Sequence, residues 1–178
     1  MSKRILVVDD HDVVRQGVRL ILRAHPEWQV IAEAEDGVEA IDKTKSLDPD
    51  LVILDFSMPR KDGLEVLREL TRLQVRSKVL ILTMHDSKEL GAVVQKAGAS
   101  GYVIKTHAAR DLIRAVQDIF DGGTYFSSGT PTSTASLNDQ SEKKPGSSSN
   151  DPNTLSSTLR DRLSEILGRV LLAPAFAP

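Results

Sequence analysis

Cysteine is absent from the 178 residues. That excludes disulfides, thiolate metal centres and thiol nucleophiles. A large excess of one charge is also missing. Lys and Arg number 23 against 25 Asp and Glu, a formal net charge of -2, so the molecule as a whole is not a polyanion binder. No apolar run approaches the roughly 20 residues that cross a bilayer. Met1-Ser2-Lys3-Arg4 is followed by Ile5 to Val8 and then by two aspartates, too short an apolar core for a secretory signal. A soluble cytoplasmic protein is expected. What is present is a hydrophobic fraction of 40%, enough for one ordinary domain plus something small.

The stretch Leu51-Val52-Ile53-Leu54-Asp55 organises the reading. Four consecutive apolar residues rich in β-branching suit a strand buried on both faces. The run stops at Asp55, and Pro59 turns the chain. Other segments end the same way. Ile5 to Val8 ends in Asp9-Asp10, Val79 to Leu82 in Thr83, and Gly101 to Ile104 in Lys105. Trp28 to Ala34 is a further strand candidate. Between them lie helical patterns. Val13, Val14, Val18, Leu20, Ile21 and Leu22 mark the first, with Asp10 or Asp12 available as N-cap. Asp36-Gly37 and Asp62-Gly63 open the second and third. The fourth runs to about Lys96 before Gly98, and the fifth from about Ala108 to Phe120 before Gly122-Gly123.

Strand then helix, repeated in this way, implies a parallel sheet with helices on both faces and right-handed crossovers. All strands then point their carboxyl ends to one edge, where open parallel sheets bind ligands. Asp9, Asp10, Asp55, Thr83 and Lys105 gather there. Close carboxylate pairs repel by on the order of a few kcal/mol at surface-like dielectric. Lys105 supplies one compensating charge. A divalent cation supplies two, and an all-oxygen site with water suits Mg2+. Without cysteine, and without paired histidines, zinc does not fit. Asp55 is placed to act as a nucleophile toward a phosphoryl group, with Asp10 and Asp9 holding the metal and Thr83 and Lys105 facing the phosphoryl oxygens.

These pieces together, Val7-Val8-Asp9-Asp10-His11, Asp55 with Met58-Pro59 and Asp62-Gly63, Leu82-Thr83 and Tyr102-Val103-Ile104-Lys105, resemble the receiver domain of a bacterial two-component response regulator. The resemblance covers about Lys3 to Phe126. Val14-Arg15-Gln16-Gly17, His85 two beyond Thr83, and Ala99-Ser100-Gly101-Tyr102 are similar to the NarL/FixJ branch. It implies a flavodoxin-like (βα)5 fold with five parallel strands. It implies that Asp55 is phosphorylated by a sensor histidine kinase. Asp9, Asp10 and Asp55 would form the Mg2+ site, completed by the backbone carbonyl of Ser57. Thr83 and Tyr102 would be the switch pair on the face of the fourth and fifth strands, the ring moving inward. Ser57 and His85 would set the lifetime of the phosphorylated state. Thr106 stands where many receivers have proline. No enzymatic activity beyond self-catalysed transfer to and from Asp55 is implied, and a phosphorylation-dependent homodimer is.

Three segments are expected: a receiver domain over 1–126, a Ser/Thr/Pro/Gly-rich linker over 127–154, and an amphipathic helix over 155–173. Thr158 to Arg162 with Glu165-Ile166-Leu167 resembles the first helix of the helix-turn-helix domain usual in that branch. No recognition helix follows, so the chain as it stands is expected not to bind DNA. A truncated gene product and a stand-alone receiver, serving as a phosphate sink or docking module, both remain open. Two other readings fit less well. A haloacid-dehalogenase-type phosphatase wants a second carboxylate at the position of Ser57. A flavodoxin-like FMN carrier wants a phosphate-cradling loop where Asp9-Asp10-His11-Asp12 stands.

Overall fold

The computed structural model of the protein describes residues 2–126. The linker expected over 127–154 and the helix over 155–173 lie outside the described residues. The elements follow in the expected alternation: β1 (Lys3–Val8), α1 (Asp12–Leu22), β2 (Trp28–Ala34), α2 (Gly37–Leu47), β3 (Leu51–Asp55), α3 (Gly63–Arg72), β4 (Lys78–Thr83), α4 (Lys88–Lys96), β5 (Gly101–Ile104), a 3-10 turn (Lys105–His107), α5 (Ala108–Phe120) and β6 (Tyr125–Phe126). The sheet is parallel throughout, in the order β2-β1-β3-β4-β5-β6. This is the flavodoxin-like arrangement, with the reversal of strand order between β1 and β3.

The pleat sorts each buried strand between two apolar layers. Ile5, Val7, Leu51, Ile53, Leu80 and Leu82 meet the apolar faces of α1 and α5. Leu6, Val8, Val52, Leu54, Val79 and Ile81 meet α2, α3 and α4 on the other side. Successive side chains point to opposite faces, so a continuous apolar run is what a strand covered on both sides requires. Burying each such side chain stabilises the fold by roughly 1.5–3 kcal/mol before chain entropy is counted.

Two expectations need correction. The sheet has a sixth strand, because Tyr125 and Phe126 pair in parallel with Gly101 and Tyr102. The glycine makes this possible: a Cβ at Gly101 would lie 2.9 Å from the Tyr125 carbonyl oxygen and 2.7 Å from Leu80 Cδ1. The N-cap of α1 is His11, with no side-chain cap bond, and neither Asp10 nor Asp12 fills that role. Asp12 lies inside the first turn, and Asp10 is engaged instead by the His11 ring, Nδ1 to Oδ1 at 2.9 Å. Helices α2, α3 and α4 carry side-chain caps, whereas α5 starts at His107 without one. Asp36 accepts the N–H groups of Val38 and Glu39 at 2.8 and 3.1 Å. Asp62 and Glu65 form a reciprocal capping box at α3, and Ser87 caps α4.

Candidate functional site

The carboxyl edge of the sheet brings together Asp9, Asp10, Asp55 and Lys105. Asp9 follows β1, Asp55 closes β3, and Lys105 follows β5. β3 lies beside β1, and β5 is two strands further on. Asp55 and Asp9 are each 1% exposed and Lys105 is 3% exposed, so three charged side chains sit in the interior. Lys105 Nζ stands 2.7 Å from Asp9 Oδ2 and 2.8 Å from Asp55 Oδ2. The contact is one of charge: neither oxygen accepts a well-aligned hydrogen bond.

One ammonium does not balance two buried carboxylates. Burial, followed by the repulsion of Asp9, pushes the Asp55 carboxyl up to about 6, against the opposing pull of Lys105. The backbone N–H of Ser57 donates to Asp55 Oδ1 at 3.2 Å and opposes the shift further. Asp10 adds a third carboxylate, and His11 a ring nitrogen 3.3 Å from Asp9 Oδ1. One ligand atom from each of Asp9, Asp10, His11 and Asp55 can be chosen so that all lie within 4.8 Å of one another. A hard divalent cation fits this donor set, because most donors are carboxylate oxygens and the site has a deficit of positive charge.

The backbone around Asp55 is tightly held. Phe56 N–H bonds to the Leu82 carbonyl at 2.8 Å, and Gly63 N–H to the Phe56 carbonyl at 2.9 Å. The first turn of α3 comes so close that a Cβ on Gly63 would lie 2.4 Å from the Asp55 carbonyl oxygen. Only glycine allows this approach. In the same loop Arg60 takes a left-handed backbone conformation, φ 67°, and its guanidinium pairs with Asp36 at the start of α2.

Thr83 closes β4 and is buried, its Oγ1 accepting the His85 N–H at 3.1 Å. Tyr102 is 1% exposed, with its ring already in the layer beneath α4. Its hydroxyl donates to the His85 carbonyl and accepts the Ser87 N–H at 3.3 Å. Thr83 and Tyr102 therefore both hold the connection from β4 to α4, meeting at His85, and Tyr102 alone reaches on to Ser87. Ser57 is exposed beside Asp55.

Two neighbours of this site were not singled out as site residues by sequence reasoning. The His11 ring, half exposed, faces the carboxylates of Asp9 and Asp10. Arg15 is buried beneath the Asp9 turn. A signal for Arg15 was available. Its spacing to Val18 and Leu22 puts it on the apolar face of α1, where a lone cation is unusual.

Known proteins are similar to this chain in sequence and in fold. The sequence profile of the response regulator receiver domain matches residues 5–117. The chain is 39% identical over 123 residues to the transcriptional regulatory protein DegU of Brevibacillus brevis, a match covering 69% of this chain and 52% of that protein. It is 40% identical over 151 residues to the oxygen regulatory protein NreC of Staphylococcus epidermidis, covering 84% of this chain and 69% of that one. The chain thus spans about half the length of DegU. Among solved structures, the signal receiver domain of the response regulator NarL from Mycobacterium tuberculosis superposes with a TM-score of 0.64 at 30% identity, covering 68% of this chain and 98% of that one. A LuxR-family two-component response regulator from Aurantimonas gives 0.68 at 35% identity, covering 71% and 91%. The chain belongs to the response regulator receiver domain family of two-component signalling, in its NarL/LuxR branch.

Proposed function

We propose that residues 2–126 receive a phosphoryl group on Asp55 from a sensor histidine kinase, in a reaction that requires Mg2+. The observation that carries this reading is the buried Asp55 carboxylate facing the Lys105 ammonium at 2.8 Å, with Asp9 against the same ammonium. An Asp55 carboxylate oxygen forms the new bond to phosphorus as the bond from phosphorus to the kinase histidine nitrogen breaks, and that nitrogen keeps the electron pair. Lys105 stabilises charge on the phosphoryl oxygens, and the Thr83 hydroxyl donates to one of them. Asp9, Asp10, Asp55 and the Ser57 backbone carbonyl would hold Mg2+, which when bound offsets the negative charge of the carboxylates and the incoming group.

Output follows from the loop after β4. Drawing the Thr83 hydroxyl to a phosphoryl oxygen removes it from the His85 N–H, and the Tyr102 hydroxyl holds the next turn of that loop. Ser57 and His85 flank the site and set the lifetime of the phosphorylated state. In this reading the domain pairs with a second copy once phosphorylated, which sedimentation with and without beryllofluoride tests.

The deciding experiment is the intact mass of the chain after incubation with Mg2+ and a small-molecule phosphodonor. The parent gains one phosphoryl group. Asp55→Asn does not, and EDTA abolishes the gain in the parent. A parent that neither gains mass nor binds beryllofluoride overturns the reading.

A further inference from the structure

Arg15 has no part in the phosphoryl chemistry above, yet the fold spends a buried cation on it. Its side chain is 7% exposed. A guanidinium in that position requires partners, and it has four. Nη1 donates to the Asp9 backbone carbonyl at 2.8 Å. Nε donates to Glu33 Oε2 at 3.0 Å. Nη2 donates to Asp12 Oδ1 and to Glu35 Oε1, both at 3.1 Å. Three of these contacts anchor the guanidinium to α1 and to the end of β2 and the residue after it. The fourth reaches the backbone of the acidic turn.

We propose that Arg15 is a positioning residue, which holds the turn Asp9–His11 through the Asp9 carbonyl so that the Asp9 and Asp10 carboxylates converge on one divalent cation. This rests on the Mg2+ reading of the pocket. β1 ends at Val8, so the turn has little ladder to hold it. Asp9 N–H bonds to the Ala34 carbonyl at 3.1 Å, and His11 N–H closes back on Asp9 Oδ1 at 2.9 Å. The Arg15 contact fixes the remaining polar group of Asp9, and with it the peptide plane that aims the Asp10 side chain. A planar fork is needed for this. A lysine ammonium offers donors from a single point and does not reproduce contacts made from three separate nitrogens.

Charge alone predicts the opposite result. Arg15 is a cation beside a cation site, so deleting it should tighten Mg2+ binding. The sign of the change therefore separates positioning from simple electrostatics. Calorimetric Mg2+ titration of the full chain would compare the parent, Arg15→Lys, Arg15→Met and Arg19→Gln. Circular dichroism would confirm that each is folded at the temperature used, and thermal melts would run in parallel. Both Arg15 variants are expected to bind Mg2+ about tenfold more weakly or worse, the usual scale for losing a residue that orients a metal ligand. Arg19→Gln removes the other cation on Glu33, held at 2.8 Å, without touching Asp9. It is expected to keep its Mg2+ affinity within about twofold. If the Arg15 variants do not fold, Glu33→Gln loosens the same guanidinium at Nε and is expected to weaken binding by roughly threefold. Unchanged or tighter Mg2+ binding in the folded variants overturns the proposal. A parent that binds no Mg2+ overturns the pocket reading and this inference with it, whereas a parent that binds no better than its Arg15 variants overturns this inference alone.

Discussion

Two aspartates bracket β3, and the fold treats them differently. Asp50, just before the strand, is exposed and accepts the Arg4 backbone N–H at 2.7 Å. Asp55, at its end, is buried against a second carboxylate and has its proton affinity raised to about 6. The residue type and the strand are the same. What differs is the edge of the sheet. At the amino edge the carboxylate keeps its water and closes a backbone contact. At the carboxyl edge neighbouring strand ends and the first turn of α3 strip the water and leave an unbalanced charge. Such shifted carboxylates gather at functional sites, which is why the proposed phosphoryl acceptor is Asp55 and not Asp50.

The contrast breaks most severely in Lys105→Met. Two buried carboxylates then lose the ammonium they share, and Asp55 keeps no ion-pair partner among the described residues. In EDTA the folded state is expected to lose about 3–5 kcal/mol, read from urea denaturation. Gly63→Ala attacks the backbone instead. Its Cβ would meet the Asp55 carbonyl oxygen at 2.4 Å and Phe56 Cα at 2.8 Å, and a cost of about 2–3 kcal/mol is expected in the same assay.

Paired substitutions at the two aspartates should have opposite signs. In EDTA at pH 7, Asp55→Asn is expected to stabilise the chain by about 2 kcal/mol, because it removes a charge that burial disfavours. The folded chain holds the Asp55 proton more tightly than the unfolded chain does. The stability associated with that proton is full below pH 3.8 and is lost as pH rises through about 6. The gain from Asp55→Asn should therefore vanish below pH 3.8. Asp50→Asn weakens the contact to Arg4 N–H and is expected to destabilise by about 1 kcal/mol.

The smallest effect concerns Asp36, an aspartate that the fold stabilises as an anion. The backbone N–H of Glu39, more than any other contact, holds its carboxyl below the usual range. Its contribution is present above pH 3.8 and is lost as pH falls through the lowered value. Asp36→Asn, still able to cap α2, is expected to cost about 0.5 kcal/mol at pH 7 and nothing in strong acid, measured by thermal melts across pH.

Local pattern made most of the fold legible. The apolar runs at Ile5–Val8, Leu51–Leu54 and Val79–Leu82 identify central strands because both faces of the sheet are covered. Gly98 and the pair Gly122-Gly123 stop α4 and α5 close to where they are observed. β6 was not legible. Two residues have no periodicity, and the strand exists because Gly101 leaves room beside β5. The cap of α1 was misread because an aspartate before a helix normally serves the helix, whereas Asp10 is engaged with His11. The meeting of Asp9, Asp10, Asp55 and Lys105 could be anticipated, since parallel strands must end at one edge. Spacing places Arg15 on the apolar face of α1, but its contact with the Asp9 carbonyl and the ring of His11 against two carboxylates could not be anticipated, since both depend on how tightly the first turn folds back.

The sequence by itself determined the alternation of strands and helices, the two-sided apolar core, and which strand ends carry carboxylates, a hydroxyl and an amine. These properties are written in spacing along the chain, where the periods of strand and helix act locally. Only the tertiary structure decided that Asp55 is buried while Asp50 is solvated, that one lysine is shared by two carboxylates, and that a guanidinium supports the Asp9 turn. Those outcomes depend on desolvation and on distances between segments remote in sequence, and both arise only when β1, β3 and β5 are packed into one sheet.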